Sequence, residues 1–150
     1  MADTKVRRAT VDDAEDISAV ITEILKAPEP VALREALTPE QVVRWLDRLG
    51  EQGGLFVCEV DGKVVGFAAL DFNTEEPDIA TLGVWLLVSQ RKKGLGTALA
   101  ERALEHAREK GYRRIRGRLP QNNEVALSFL SSIGALVPLY NPEARFELPL

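Results

Sequence analysis

Cysteine and histidine are nearly absent: the 150 residues hold one of each. Cys58 has no partner for an internal disulfide, and its apolar surroundings predict a buried structural thiol in a reducing compartment. His106 belongs to no Cys/His cluster, so zinc lacks a ligand set and no metal site is expected. Its charged neighbours predict a solvated position on a helix. No apolar stretch approaches the roughly 20 residues of a membrane span, and Met1 to Lys5 carry no apolar signal core. The expectation is a cytoplasmic chain with no membrane partner. Positive charge is also in short supply, the net charge being -4, which argues against a nucleic-acid partner. Arg113, Arg114, Arg116 and Arg118 alternate as in a half-exposed strand rather than forming a binding patch. No internal repeat or linker is visible, so residues 1–150 read as a single domain, able to bury roughly 70% of its unfolded surface.

What the chain does contain is punctuated clearly. Lys5 to Ala9 gives a modest strand signal, and Thr10 with Asp13 opens a helix carrying Ile17, Ile21, Ile24 and Leu25. Pro28, Glu29 and Pro30 break that helix. A second helix starts at Thr38-Pro39-Glu40-Gln41, where a capping threonine, a first-position proline and a third-position glutamine coincide. Leu55–Val60 and Lys63–Phe72 read as strands joined through Asp61-Gly62, the preferred dipeptide of a two-residue hairpin. Gly66 inside the second strand marks a bulge or a close backbone approach. Asp78–Val88 reads as a central strand, apolar on both faces towards its end. A helix follows from Leu95 to Gly111, then a strand over Tyr112–Leu119 and a helix from Asn122 or Asn123 to Gly134. Ala135–Tyr140 and Arg145–Leu148 close as a hairpin. The order predicts an α/β (α+β) domain with a mixed, mostly antiparallel sheet of about six or seven strands and helices on both faces.

The junction after Val88 carries the chemistry. Arg91, Lys92 and Lys93 precede Gly94-Leu95-Gly96-Thr97 at the start of a helix. The first N–H groups of a helix lack partners and its N-terminus is partly positive, so a glycine turn with added cations suits a phosphate. The dinucleotide fingerprint fails because its third small residue would stand at Leu99, and the Walker pattern fails because Thr97 follows Gly96 directly.

At this point the residues resemble the GCN5-related N-acetyltransferase (GNAT) family. Its pyrophosphate motif, Gln/Arg-x-x-Gly-x-Gly/Ala, matches Arg91 to Gly96; its second motif is met by Asn123, Ala126, Phe129 and Gly134. Leu130 stands in the tyrosine place of that second motif and Ala135 in the final aromatic place.

The resemblance implies the acyl-CoA N-acyltransferase fold and acetyl transfer from acetyl-CoA to a primary amine by direct attack. It also implies that the backbone N–H groups of Arg91, Lys92, Lys93, Gly94, Leu95, Gly96 and Thr97 hold the pyrophosphate of coenzyme A. Leu86 and Val88 would line the pantetheine arm, Val84 would face the thioester carbonyl, and Asn123 would point to the cofactor or serve as a helix cap. Asp78 and Tyr140 are the candidate proton acceptors, and Leu130 supplies no hydroxyl for the departing thiolate. The amine-bearing acceptor is unspecified, and a homodimer fits the family's habit. The competing reading is an acyl-CoA-binding module without turnover.

Overall fold

The computed structural model describes residues 3–26, 35–90, 94–118 and 145–149. The described strands are β1 (Thr4–Arg8), β2 (Gly54–Val60), β3 (Lys63–Phe72), β4 (Ile79–Leu86), β5 (Arg114–Arg118) and β6 (Arg145–Pro149). They form one six-stranded sheet in sequence order. The described helices are α1 (Ala14–Leu25), α2 (Pro39–Leu49) and α3 (Leu95–Glu109). Every pairing is antiparallel except β4 with β5, which α3 joins as a crossover. The predicted helix after Asn122 and the predicted strand Ala135–Tyr140 lie outside the described residues. Among the described residues no helix is long and apolar enough to cross a membrane.

Local chemistry explains the well-formed parts. The Thr38 hydroxyl accepts from Gln41 N–H at 3.2 Å while the Gln41 side chain accepts from Thr38 N–H at 2.9 Å, a reciprocal cap at the start of α2. Asp61 and Gly62 both adopt positive φ, 52° and 82°, which matches the right-handed twist of the strands they join. α3 closes through Gly111 at φ 84°, with Tyr112 N–H reaching back to Ala107 C=O at 3.1 Å.

Two cores sit on opposite faces of the sheet. Phe56, Cys58, Ala68 and Leu70 pack under α3 together with Leu99, Ala103 and Ala107. Leu55, Val57, Phe67 and Ala69 pack under α1 and α2 with Ile17, Ile21, Ile24 and Val42. Strand alternation produces this split. The alternation slips beside Gly66, where Cys58 pairs with Gly66 but Glu59 with Val64. That bulge explains why Val64 and Val65 serve the faces opposite to those a regular strand would give them. At the other end Arg7 bonds both Asp13 and Glu59 at 2.8 Å, tying the start of α1 to β2. The Arg7 guanidinium holds the Asp13 carboxyl below the ordinary carboxylate value.

His106 departs from expectation. It is buried rather than solvated, because Glu51 in the α2–β2 connection presents its carbonyl 2.9 Å from Nε2 and Phe56 packs edge-on at 5.6 Å. A carbonyl only accepts, so Nε2 carries the hydrogen. Burial pushes the imidazole below its ordinary value of 6.5; the carbonyl bond opposes this, and Arg8 and Lys110 add to it. As pH falls through 6.5 the unfolded chain therefore takes up a proton before the folded one, and stability is lost. Thermal unfolding between pH 7 and pH 5 is expected to show a steeper fall in Tm for the wild type than for His106→Gln. Equal slopes would remove His106 as the cause.

Candidate functional site

The site grows from the way β4 is paired. Leu87 N–H donates to Val65 C=O at 3.0 Å, and Arg114 N–H donates to Asp78 C=O at 3.2 Å. These bonds set the alternation along β4: odd-numbered residues turn their backbone groups to β3, even-numbered ones to β5. Among the described residues the ladder to β5 runs over Ile79↔Arg114, Ala80↔Ile115 and Thr81↔Arg116. β4 nevertheless continues to Leu86, still paired to β3 through Gly66↔Leu86. The backbone N–H and C=O of Val84 and Leu86 thus face the β5 side beyond the end of the ladder. A buried strand normally satisfies such groups, so this gap is suited to an extended ligand rich in amides.

The chain leaves β4 abruptly. Val88–Gln90 form a short 3₁₀ turn, with Gln90 N–H bonded to Leu87 C=O at 2.9 Å. Val88, expected to extend the strand, therefore lies outside its alternation. The strand also begins later than predicted, at Ile79, because Ile79 N–H is held in a turn by Glu76 C=O at 3.1 Å. Arg91, Lys92 and Lys93 lie outside the described residues.

Gly94 then caps α3 at φ 80°, with no side-chain cap bond and no acidic residue in the first turn. A positive φ favours glycine, and a Cβ there would meet nothing within 4 Å. The first bond closing the helix is Ala98 N–H to Gly94 C=O at 3.1 Å. The N–H groups of Leu95, Gly96 and Thr97 precede that bond and lack intrahelical acceptors. Leu95 offers only its backbone, since its side chain is buried in the core under α3. A helix N-terminus with such free donors suits an anion.

Gly66 completes the wall behind that gap. A Cβ on Gly66 would meet Leu86 Cδ2 and come within 2.7 Å of the Trp85 carbonyl. The sequence offered a bulge or a close approach at Gly66; both occur.

Of the remaining candidates, Asp78 is the one among the described residues. Asp78 is exposed at the N-terminal end of β4, six positions from Val84, or about 20 Å along an extended strand. Its carbonyl serves Arg113 and Arg114. Strand rise alone thus separates Asp78 from the gap. Tyr140, Asn123 and Leu130 lie outside the described residues. Among the described residues no group of His, Cys, Asp or Glu could hold a metal ion. Cys58 is buried, and desolvation pushes its thiol up, away from the reactive thiolate.

Sequence reasoning missed the aromatic column on the other face of β4. Trp85 stacks on Phe67 at 4.8 Å, and Trp45 meets Phe67 edge-on at 6.3 Å. The cross-strand pairing Phe67↔Trp85 was not legible before the register was known.

The sequence profile of the acetyltransferase (GNAT) family matches residues 19–135. An uncharacterized N-acetyltransferase of Methanocaldococcus jannaschii is 29% identical over 134 residues, covering 86% of this chain and 59% of the relative. The chain thus spans about three fifths of that relative's length. One from Archaeoglobus fulgidus is 32% identical over 111 residues, 71% of this chain and 75% of the relative. The structure of yncA from Salmonella typhimurium, solved with its cofactor acetyl-CoA, superposes with a TM-score of 0.84 at 17% identity, covering 98% of this chain and 94% of that one. With the profile spanning most of the chain, and with strand order and α3 N-terminus as described, the protein belongs to the GNAT acetyltransferase family.

Proposed function

We propose that this chain binds acetyl-CoA between β4 and β5 and transfers the acetyl group to a primary amine. One observation carries the reading: among the described residues the β4–β5 ladder stops at Thr81↔Arg116 while β4 runs on to Leu86, ahead of the α3 N-terminus, whose first N–H groups lack intrahelical acceptors. The Salmonella fold neighbour, which holds acetyl-CoA, supports it.

In this reading Leu95, Gly96 and Thr97 N–H groups hold the pyrophosphate, with Arg91, Lys92 and Lys93 beside it. Leu86 backbone groups take the pantetheine amides. Val84 N–H donates to the thioester carbonyl oxygen, where negative charge grows as the amine attacks; a preorganised donor of this kind contributes about 3–4 kcal/mol. Holding amine and carbonyl in contact supplies most of the remainder. The attacking nitrogen must be neutral, so an ammonium acceptor first gives one proton to water, and after attack the nitrogen gives a second proton to water as the amide forms. The C–N bond forms, the C–S bond breaks, and the electron pair leaves on sulfur. Leu130 offers no hydroxyl to that thiolate, so water is the proton source in this scheme.

Incubation with acetyl-CoA and a panel of primary amines is expected to release free thiol and to yield the acetylated amine by mass spectrometry. Thermal stabilisation by coenzyme A without thiol release on any amine would instead identify a binding module.

A further inference from the structure

We infer that Trp85 is the wall against which the acceptor's substituent packs, so that the protein selects amines carrying an apolar or aromatic group beside the reactive nitrogen. This rests on the acyl-transfer reading and adds the acceptor class to it.

The placement follows from β4. Val84 and Leu86 direct their side chains to the core under α3, so the intervening Trp85 directs its indole to the opposite face, where α1 and α2 pack. There the six-membered ring folds back along the strand into the space that a side chain at residue 83 would need: a Cβ on Gly83 would meet Cη2, and would lie 2.7 Å from Cζ2 and Cζ3. Gly83 is thus the condition for this indole position. On the β3 side the indole is blocked by Phe67, fully buried and stacked at 4.8 Å with 27° between the planes. Phe67 is itself braced by Trp45, whose Nε1–H is anchored on Asp71 at 3.2 Å.

In this inference the exposed part of the half-buried indole lies toward β5, since Phe67 fills the β3 side. That is the side on which the ladder has ended and on which the adjacent Val84 presents its backbone. An amine attacking a carbonyl held at Val84 therefore carries its substituent along the indole. The indole attracts cations through its face as well as apolar groups, but the reacting nitrogen is neutral, so the productive contact is with the substituent. Hydrophobic contact of this size discriminates about tenfold or more between substrates.

The test compares phenethylamine and hexylamine with ethanolamine, using acetyl-CoA and thiol release, for the wild type, Trp85→Ala, Trp85→Phe and Gly83→Val. The wild type is expected to favour the apolar amines by at least about tenfold in kcat/KM. Trp85→Ala is expected to collapse that ratio through KM, Trp85→Phe to restore part of it, and Gly83→Val, which expels the indole from its slot, to resemble Trp85→Ala. Thermal stabilisation by coenzyme A, measured in parallel, reads the cofactor site separately. An unchanged amine ratio in Trp85→Ala, or a wild type that prefers ethanolamine, overturns the inference while leaving the cofactor reading standing. Absence of thiol release with every amine overturns both the transfer reading and the inference.

Discussion

Gly94→Glu is expected to abolish stabilisation by coenzyme A. At a ligand concentration of about 100 times Kd, a protein that binds only in its folded state gains about 2.7 kcal/mol. In a chain of this size that is a rise in Tm of about 5–10 °C. The substitution acts twice. It forces a side chain into φ 80°, which costs about 1 kcal/mol without a ligand. It also sets a carboxylate beside the unpartnered N–H groups of Leu95, Gly96 and Thr97, where the pyrophosphate needs positive potential. Gly62→Glu separates the two effects. Gly62 has φ 82° and, like Gly94, nothing within 4 Å of an added Cβ, but it lies in the β2–β3 turn. This control should lose comparable intrinsic stability and keep the full ligand shift. A ligand shift retained in Gly94→Glu would place the anion site elsewhere.

Phe67→Ala is expected to lower stability by about 3–5 kcal/mol, the usual cost of emptying a buried aromatic site. The ring is fully buried and touches Trp85 on one side and Trp45 on the other, so neither indole can fill the void without leaving its own position. Domains hold about 5–15 kcal/mol in all, and a fall in Tm of about 10 °C or more should follow. Phe67→Leu retains most of the volume and should lose much less. Urea unfolding at fixed pH measures both variants; equal losses would show that the volume leucine retains contributes nothing and that the ring contacts with the two indoles carry the whole effect. If Phe67 also backs the acceptor wall, Phe67→Leu should raise KM for phenethylamine more than for ethanolamine.

Legibility followed the range of the interaction. Asp61-Gly62 and Thr38-Pro39-Glu40-Gln41 were readable because each is decided within four residues: positive φ at two turn positions, and a reciprocal cap. The strand drawn over Asp78–Val88 was right at its centre and long at both ends. Apolarity does not reveal that Ile79 N–H is held by Glu76, nor that the chain turns after Leu87. His106 was misplaced for a related reason. Its charged neighbours suggested solvent, yet Ala103, His106 and Ala107 share one buried helical stripe, a spacing that was present in the sequence. What sequence could not supply was the Glu51 carbonyl that satisfies the ring. Asp78 is a candidate by its place beside a strand, and six positions of strand rise separate it from Val84, about 20 Å. Cys58 is a buried thiol, as its apolar sequence surroundings predict.

By itself the sequence determined the element order through β6 among the described residues and the glycine turn into α3. These depend on backbone conformation and on charges a few positions apart. Only the tertiary structure decided where the β4–β5 ladder ends, which backbone groups of Val84 and Leu86 that leaves facing a gap, and that Trp85 leans on Phe67 over Gly83. Those outcomes depend on strand register and on the divergence of two strands distant in the chain, and no local pattern encodes either one.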